Sequence, residues 1–204
     1  MTQDIYPELT RKMVLWEGQF SEIPEGRRQQ LARLADYITG RAGKPVQLNF
    51  ICTHNSRRSH LGMIWAAVAA AYYGMESVHT YSGGTEATAF NPRAITALEK
   101  AGFKVVRPPG ENPHYQVSYT DERPPLVCFS KVYDHAINPK HDYAAIMTCS
   151  DADENCPLIP GVELRLPITY EDPKVADDTP QEAERYDERV AQIGREMLYV
   201  FSLV

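Results

Sequence analysis

The sequence has no long apolar run, no excess of positive charge and few cysteines, and each shortage excludes a class of protein. No apolar run reaches the ~20 residues that a membrane-spanning helix requires. Acidic residues outnumber basic residues by 27 to 21, which gives a net charge of −6. This balance argues against general binding to nucleic acid or to anionic membranes, because both require a basic surface. An anionic substrate would have to be attracted by a local group of basic side chains.

The first residues also lack the features of a secretion signal, since they contain neither a basic start nor an apolar centre. We therefore expect a cytoplasmic protein, whose four cysteines are thiols at rest in a reducing compartment. The sequence contains no internal repeat and no low-complexity tract. Its 204 residues predict one domain over 1–204, with a helical N-terminal extension at 1–45 and an insertion at 107–141.

The chain is organised around Cys52, which lies between an apolar run and an alanine-rich run. Residues 46–51 are largely apolar, and residues 61–73 are too many and too rich in alanine for a strand. Cys52 is therefore predicted to lie in a tight strand-to-helix turn. Such a turn directs unpaired backbone N–H groups inward at the positive end of the helix, where they bind an oxyanion and favour the thiolate form of a cysteine.

Arg58 adds a side chain to this predicted anion site. It follows Cys52 by six positions, so its planar guanidinium is able to fold back over the loop and hold two oxygens of a phosphate-like group. Arg57 and the helix N-terminus would add to the same local positive field. The alternative interpretation is a buried cysteine in a loop with solvated arginines.

Cys149 and Cys156 form a second informative pair. They are seven positions apart, which on a helix is two turns or about 10.5 Å, whereas a disulfide requires Cα atoms within ~4.4–6.8 Å. A disulfide between them would require the segment to unwind, as in a redox shuttle. The alternatives are two thiols without a joint role and, with a poorly matching spacing, a zinc site. Cys128 is interpreted as a small apolar packing residue.

The order of the predicted elements indicates an α/β fold with a central parallel four-stranded sheet and helices on both faces, and such sheets bind ligands at the carboxyl ends of their strands. The predicted core strands are 46–51, 77–82, 143–148 and 162–168, and the predicted helices are 7–20, 24–39, 61–73, 92–101 and 179–204. Thr179 and Pro180 are predicted to cap the last helix. Residues 107–141 are punctuated by prolines and predict a hairpin across 121–123, which is either an edge addition or a flap on the substrate side.

Several motifs together resemble those of the low-molecular-weight protein tyrosine phosphatase superfamily, and within it the thioredoxin-coupled arsenate reductases. Residues 52–59, Cys-Thr-His-Asn-Ser-Arg-Arg-Ser, are similar to the family's Cys-Thr-Gly-Asn-Ser-Cys-Arg-Ser. Residues 81–87 and 91–94 resemble the Ser-Ala-Gly segment and the helix entry that follows it. Residues 148–157 resemble the redox cysteine pair of the reductases, and residues 170–173 the Asp-Pro loop.

The resemblance implies a three-layer sandwich with a phosphate-binding loop after the first strand, and it implies a role for each matching residue. Cys52 is the implied nucleophile and Asp172 the general acid that protonates the leaving oxygen. Ser59 is implied to donate a hydrogen bond to the thiolate. The oxyanion is implied to be held by Arg58 and by the loop residues Thr53, His54, Asn55, Ser56, Arg57 and Ser59.

In the reductase mechanism that the resemblance implies, Cys52 forms a thiol–arsenate adduct and Cys149 attacks Cys52 to release arsenite. Cys156 then attacks Cys149 and leaves a disulfide for thioredoxin. In a phosphatase, Cys52 would instead form a phosphocysteine that water hydrolyses. The third interpretation is an anion-binding module without catalysis. Arsenate reduction is placed ahead because a phosphatase does not need Cys149 and Cys156; the expected partners are a small oxyanion and thioredoxin, with no cofactor.

The sequence departs from the family pattern at several positions. His54 replaces a glycine, so its backbone must avoid a positive φ or tolerate it. Arg57 replaces a cysteine and adds positive charge at the mouth of the loop. Met63 replaces a glutamate that helps some arsenate reductases to bind potassium, so no metal is predicted. The alternative role for Asp172 is a turn or capping carboxylate, in which case the acid could be Asp177 or Asp178.

Overall fold

The computed structural model describes residues 5–155 and 158–204. In chain order, its helices and strands are α1 (Pro7–Glu17), α2 (Glu25–Gly40), β1 (Val46–Cys52), α3 (Arg58–Tyr72), β2 (Val78–Gly84), α4 (Pro92–Ala101), β3 (Lys104–Val106), β4 (Tyr115–Ser118), β5 (Leu126–Cys128), β6 (Tyr143–Met147), α5 (Ser150–Asn155), β7 (Val162–Pro167) and α6 (Glu182–Ser202). Two 3-10 helices lie at Phe20–Glu22 and Pro173–Ala176.

The central sheet has four parallel strands in the order β2-β1-β6-β7, which confirms the predicted α/β fold. Because β1 and β6 are neighbours and run in the same direction, the loops that follow them lie side by side at one edge of the sheet. β2 continues through Gly83 and Gly84, where the sequence predicted that it would end. Within the described residues, no helix is long and apolar enough to cross a membrane.

The two faces of the sheet are covered unequally. Leu48 and Phe50 of β1 point into the large core formed with α3 and α6, whereas Ile51 belongs to a smaller cluster on the other face. That second face is covered by α5 and by side chains such as Ile159, so the third layer of the sandwich is thin. Cys149 lies in this thin layer, so it packs in the smaller cluster and not in the main core.

The predicted N-terminal helices are present and pack on the main core. One face of α2 is buried, and Arg27 forms a 2.8 Å ion pair with the buried Glu196 of α6. Trp16 of α1 lies edge-on to Trp65 of α3, with 5.0 Å between ring centroids. The α1 and α2 helices are therefore integral to the packing around α6.

Gly194 of α6 is the point of closest approach to this N-terminal layer. A Cβ atom there would lie 2.4 Å from the Trp16 ring and 3.1 Å from the Trp65 ring. We expect Gly194→Ala to lower the free energy of unfolding by about 1–3 kcal/mol through overpacking. Gly26→Ala, in α2 where a Cβ meets nothing within 4 Å, is the matched control and should raise it by about 0.5–1 kcal/mol. Urea denaturation of both variants tests this; equal midpoints would contradict the packing.

Residues 107–141 contain the predicted hairpin, formed by antiparallel β4 and β5. The sequence missed β3, a strand of three residues that pairs with β4 and completes a small second sheet. The predicted cap of α6 is also wrong. Its N-cap residue is Gln181, and the Thr179 hydroxyl instead accepts a hydrogen bond from the Gln181 N–H, so the Thr-Pro pair lies directly before the cap.

Candidate active site

Cys52 is the last residue of β1, and a loop of residues 53–57 connects it to α3. Its side chain is buried, and Sγ lies 3.1 Å from the Ser59 hydroxyl in the first turn of α3. The Asn55 amide donates a 2.8 Å hydrogen bond to the same hydroxyl oxygen. Because Ser59 Oγ accepts from Asn55, its own proton is available for the sulfur. Ser59 is thereby oriented to donate its proton to Cys52 Sγ.

The positive backbone φ in the loop falls on Asn55 and not on His54. Asn55 has φ 44°, a conformation that asparagine adopts more readily than most residues. The backbone of His54 avoids a positive φ, and its carbonyl accepts hydrogen bonds from Ser130 and Thr88. The His54 side chain is half exposed and lies 3.6 Å from Glu86. The replacement of glycine by histidine at position 54 is therefore accommodated without backbone strain.

Gly84 brings the end of β2 directly against the loop. A Cβ there would lie 2.3 Å from the Glu86 carbonyl, 2.6 Å from that of Thr53 and 2.7 Å from the Asn55 nitrogen. The Glu86 N–H also donates to the Thr53 carbonyl at 2.8 Å. Only glycine allows this approach, so the second glycine of the 81–87 motif helps to fix the backbone of the loop.

Arg58 is nine-tenths buried and lies between the loop and the segment that follows β7. One terminal nitrogen donates to the Tyr170 carbonyl at 2.9 Å, and the other donates to Asp172 at 2.7 Å. Within the described residues, Nε has no hydrogen-bond partner. The structure thus brings together Arg58 and Asp172, which are 114 positions apart in the sequence.

The Asp172 carboxylate accepts two hydrogen bonds, one on each oxygen. One carboxylate oxygen accepts from Arg58, and the other accepts from the Lys174 N–H and caps the 3-10 helix at Pro173–Ala176. The capping role considered from the sequence is therefore present, at a position beside the loop arginine. Of the alternative acids, Asp177 is occupied by arginines and a tyrosine, and Asp178 is largely exposed.

Arg57 turns away from the loop toward α6. Its Nε donates to the Tyr186 hydroxyl at 2.9 Å, and its guanidinium lies 3.6 Å from Asp177 and 3.8 Å from Asp172. Two carboxylates therefore offset the charge that the sequence indicated for the mouth of the loop. Burial, rather than the neighbouring charges, is the main cause that raises the pKa of Tyr186 to about 12, so this hydroxyl stays protonated and donates to Asp177 at 2.8 Å.

Cys149 lies beside the Cys52 loop, immediately after the neighbouring strand β6. Thr148 pairs with the Ile51 carbonyl through its N–H, at 2.7 Å, which places Cys149 at the same edge of the sheet as Cys52. Its buried Sγ lies 3.4 Å from the Thr53 hydroxyl and 3.4 Å from the Ala152 N–H. Cys149 thus lies against the loop that begins at Cys52, and both cysteines belong to the smaller core cluster, while Cys156 lies outside the described residues.

The segment after Cys149 is helical. Arg165 of β7 holds this helix, α5, through a 2.7 Å ion pair with Asp153 and a hydrogen bond to the Asp153 carbonyl. The sequence predicted that a disulfide across this segment would require an unwound helix. Ser150–Asn155 are helical, and Cys156 lies outside the described residues, so this stays a prediction.

Sequence reasoning missed three residues that contact this site: Tyr186, Ser130 and Lys131. Ser130 donates to the His54 carbonyl at 2.8 Å, and the Lys131 N–H donates to the Asn55 side chain at 3.0 Å. Residues 130–133 also pair with the end of β2 through Gly84. The segment 107–141 therefore supports the loop from the side of β2, and no short motif signalled those contacts.

Comparison with known proteins gives relatives of two kinds. No family model matches the sequence. Arsenate reductase 2 of Staphylococcus epidermidis is 30% identical over 124 residues, which are 61% of this chain and 76% of that protein.

Among solved structures, a low molecular weight phosphotyrosine phosphatase from Vibrio cholerae O395 aligns with a TM-score of 0.52 and 14% identity, over 77% of this chain and 95% of that chain. A structure described as an arsenate reductase in its oxidized state aligns with a TM-score of 0.50 and 16% identity, over 76% of this chain and 96% of that chain. At these identities the structural likeness establishes the fold.

Proposed function

The chain belongs to the low-molecular-weight protein tyrosine phosphatase superfamily, near its arsenate reductase branch, and on this premise we propose that it reduces arsenate through Cys52, Cys149 and Cys156. One observation carries the proposal: the buried Cys149 sulfur lies 3.4 Å from the Thr53 hydroxyl, beside the loop that begins at Cys52. A phosphatase has no use for a second thiol at that position, whereas a thiol relay requires it.

The first step is attack of the Cys52 thiolate on the arsenic atom of arsenate. A bound oxyanion competes with Asp172 for the Arg58 guanidinium, whose Nε offers a further donor. When Arg58 turns to the oxyanion, Asp172 is released from the ion pair and carries the proton that lets one arsenate oxygen leave as water. A sulfur–arsenic bond forms, and arsenic remains in the pentavalent state.

The second step transfers two electrons from sulfur to arsenic. The Cys149 thiolate attacks Cys52 Sγ, so that a sulfur–sulfur bond forms while the sulfur–arsenic bond breaks and its electron pair stays on arsenic, which leaves as arsenite. Cys156 then attacks Cys149, restores the Cys52 thiolate and leaves a Cys149–Cys156 disulfide. An external dithiol protein of the thioredoxin class returns that disulfide to two thiols. No metal or cofactor takes part in these steps.

Hydrolysis of phosphomonoesters is the second candidate function, because Cys52, Arg58 and Asp172 form a set that needs no further cysteine. In that reaction Cys52 attacks phosphorus, Asp172 protonates the leaving oxygen, and water hydrolyses the phosphocysteine. Arsenate reduction is preferred because this alternative leaves the position of Cys149 unexplained. An assay of the protein on arsenate with thioredoxin, beside an aryl phosphate, separates the two functions.

Asp172→Asn tests the general acid. We expect hydrolysis of phenyl phosphate to fall by ~10²–10⁴-fold, because proton donation typically contributes that much. Hydrolysis of 2,4-dinitrophenyl phosphate should fall far less, since its leaving group needs no proton. Asp178→Asn, six positions away and exposed, is the control and should leave both rates unchanged. Equal losses on the two esters would show that Asp172 acts through Arg58 alone.

A further inference from the structure

Lys131 carries an ammonium group that the reaction as described does not use. The residue is only 4% exposed, and within the described chain its ammonium has no carboxylate partner. Nζ lies 3.4 Å from the Ser82 hydroxyl, 3.4 Å from the Phe129 carbonyl and 4.7 Å from the centre of the Phe129 ring. Two long hydrogen bonds and one ring contact are weak compensation for a buried charge.

Two chains of hydrogen bonds connect Lys131 to the Cys52 loop and α3, one from its backbone N–H and one from its ammonium. The Lys131 N–H donates to Asn55, whose amide donates to Ser59 beside the Cys52 sulfur. On the side-chain route, the Ser82 hydroxyl that contacts Nζ also lies 3.2 Å from Nδ1 of His60, the residue after Ser59. One hydroxyl, that of Ser82, therefore separates the Lys131 ammonium from His60 in the first turn of α3.

Among the described residues that contact Nζ or interact with its charge, namely Ser82, Phe129, His60 and Cys128, none carries a charge of its own. Burial, and after it the charge of Lys131, holds the pKa of His60 well below its usual range, so the imidazole is neutral. Burial raises the pKa of the Cys128 thiol to about 12, so that group is neutral as well. Ser82 and Phe129 contribute only dipoles. A buried cation without a counter-charge gains most from negative charge placed nearby.

We propose that the Lys131 ammonium is a buried positive charge beside the loop, a positioning residue that stabilises the Cys52 thiolate and the bound oxyanion. The inference rests on the proposed function, in which the loop carries that negative charge. Coupling between the two is reciprocal: a bound anion stabilises the ammonium by as much as the ammonium stabilises the anion. Although the chain carries a net negative charge, Lys131 thereby adds a positive charge beside the loop where the substrate binds.

The test compares Lys131→Met with wild-type protein in its affinity for inorganic phosphate, measured by calorimetry. Methionine keeps the length of the side chain without its charge and retains the backbone N–H that binds Asn55. We expect phosphate to bind roughly tenfold more weakly, the scale of one nearby charge in a partly buried site. Lys140→Met, an exposed lysine of the same segment, is the matched control and should bind phosphate as wild type does.

Thermal denaturation distinguishes this role from a purely structural one. Loss of a structural residue would lower the melting temperature, whereas the proposed role predicts that it rises. Without phosphate, Lys131→Met should melt at a higher temperature than wild type, because an uncompensated buried charge is removed. Burial lowers the pKa of Lys131 from 10.5 to about 8. The cost of the ammonium is therefore fully present below pH 8 and disappears as the pH rises toward 10.5, so the difference in melting temperature should shrink over that range.

The outcomes are distinguishable. Weaker phosphate binding together with a higher melting temperature supports the inference. Unchanged phosphate affinity in Lys131→Met overturns it, and so does a lower melting temperature at pH 7. If wild-type protein itself does not bind phosphate, the proposed function fails and the inference fails with it. Should Lys131→Met not fold, Lys131→Gln in the same two measurements decides between these outcomes.

Discussion

Cys52→Ser is expected to abolish both arsenate reduction and aryl phosphate hydrolysis, by a factor on the order of 10⁴–10⁶, as is usual when a covalent nucleophile is lost. The serine hydroxyl is not ionised near neutral pH, so the hydrogen bond from Ser59 at 3.1 Å has no anion to stabilise. Steady-state rates on both substrates, with the folded state checked by thermal denaturation, measure the effect. The two reactions share this step, so they should be lost together.

Cys128→Ala is the matched control for this substitution. Cys128 is also buried, at the end of β5, but burial raises the pKa of its thiol to about 12, so it stays protonated and unreactive. Both activities should persist in Cys128→Ala. Substantial turnover by Cys52→Ser would refute the reaction scheme as a whole. If Cys52 of the wild-type protein does not react with iodoacetamide at mildly acidic pH, an anion-binding module without catalysis is favoured instead.

Cys149→Ser is expected to remove thioredoxin-dependent arsenate reduction while aryl phosphate hydrolysis stays within about threefold of wild type. The buried Cys149 lies two residues after the end of β6, and only the reductive step requires its sulfur to attack Cys52. The serine hydroxyl keeps the polar contact with Thr53. Parallel assays of both activities give the ratio, and mass spectrometry of wild-type protein after one turnover should find a Cys149–Cys156 disulfide.

Two results would contradict this division of labour. An equal loss of both activities in Cys149→Ser would mean that Cys149 supports the loop rather than the relay. Retained arsenate reduction would mean that another thiol or an external one resolves the adduct on Cys52. Since Cys128→Ala is expected to leave reduction intact, it serves as the control here as well.

Local patterns made the fold and the position of Cys52 predictable. An apolar strand, a short loop and an alanine-rich helix follow one another directly in the chain. The helix entry at 91–94 is another such feature, since Asn91 caps α4 by accepting a hydrogen bond from the Arg93 N–H. Such features depend on neighbours within a few positions, which a sequence displays.

The surroundings of the loop were not predictable, because they depend on contacts between distant segments. Asn55 and Lys131 are 76 positions apart, and Arg57 and Tyr186 are 129 apart. The sequence predicts that Arg57 adds positive charge at the mouth of the loop, yet Asp177 and Asp172 offset that charge once the chain is folded. Only the packed structure determines which charges remain uncompensated.

The contact between Arg165 and α5 has a consequence for the speed of the proposed relay. A helix of six residues is too short to be stable alone, so its persistence depends on its anchors, among them Arg165 on the edge strand β7. Breaking that anchor costs far less than unfolding the sheet, because local openings span free energies well below the global value. In the proposed relay the sheet would hold Cys149 in place while the short helix after it opens, so we expect turnover and overall stability to depend on separate parts of the molecule.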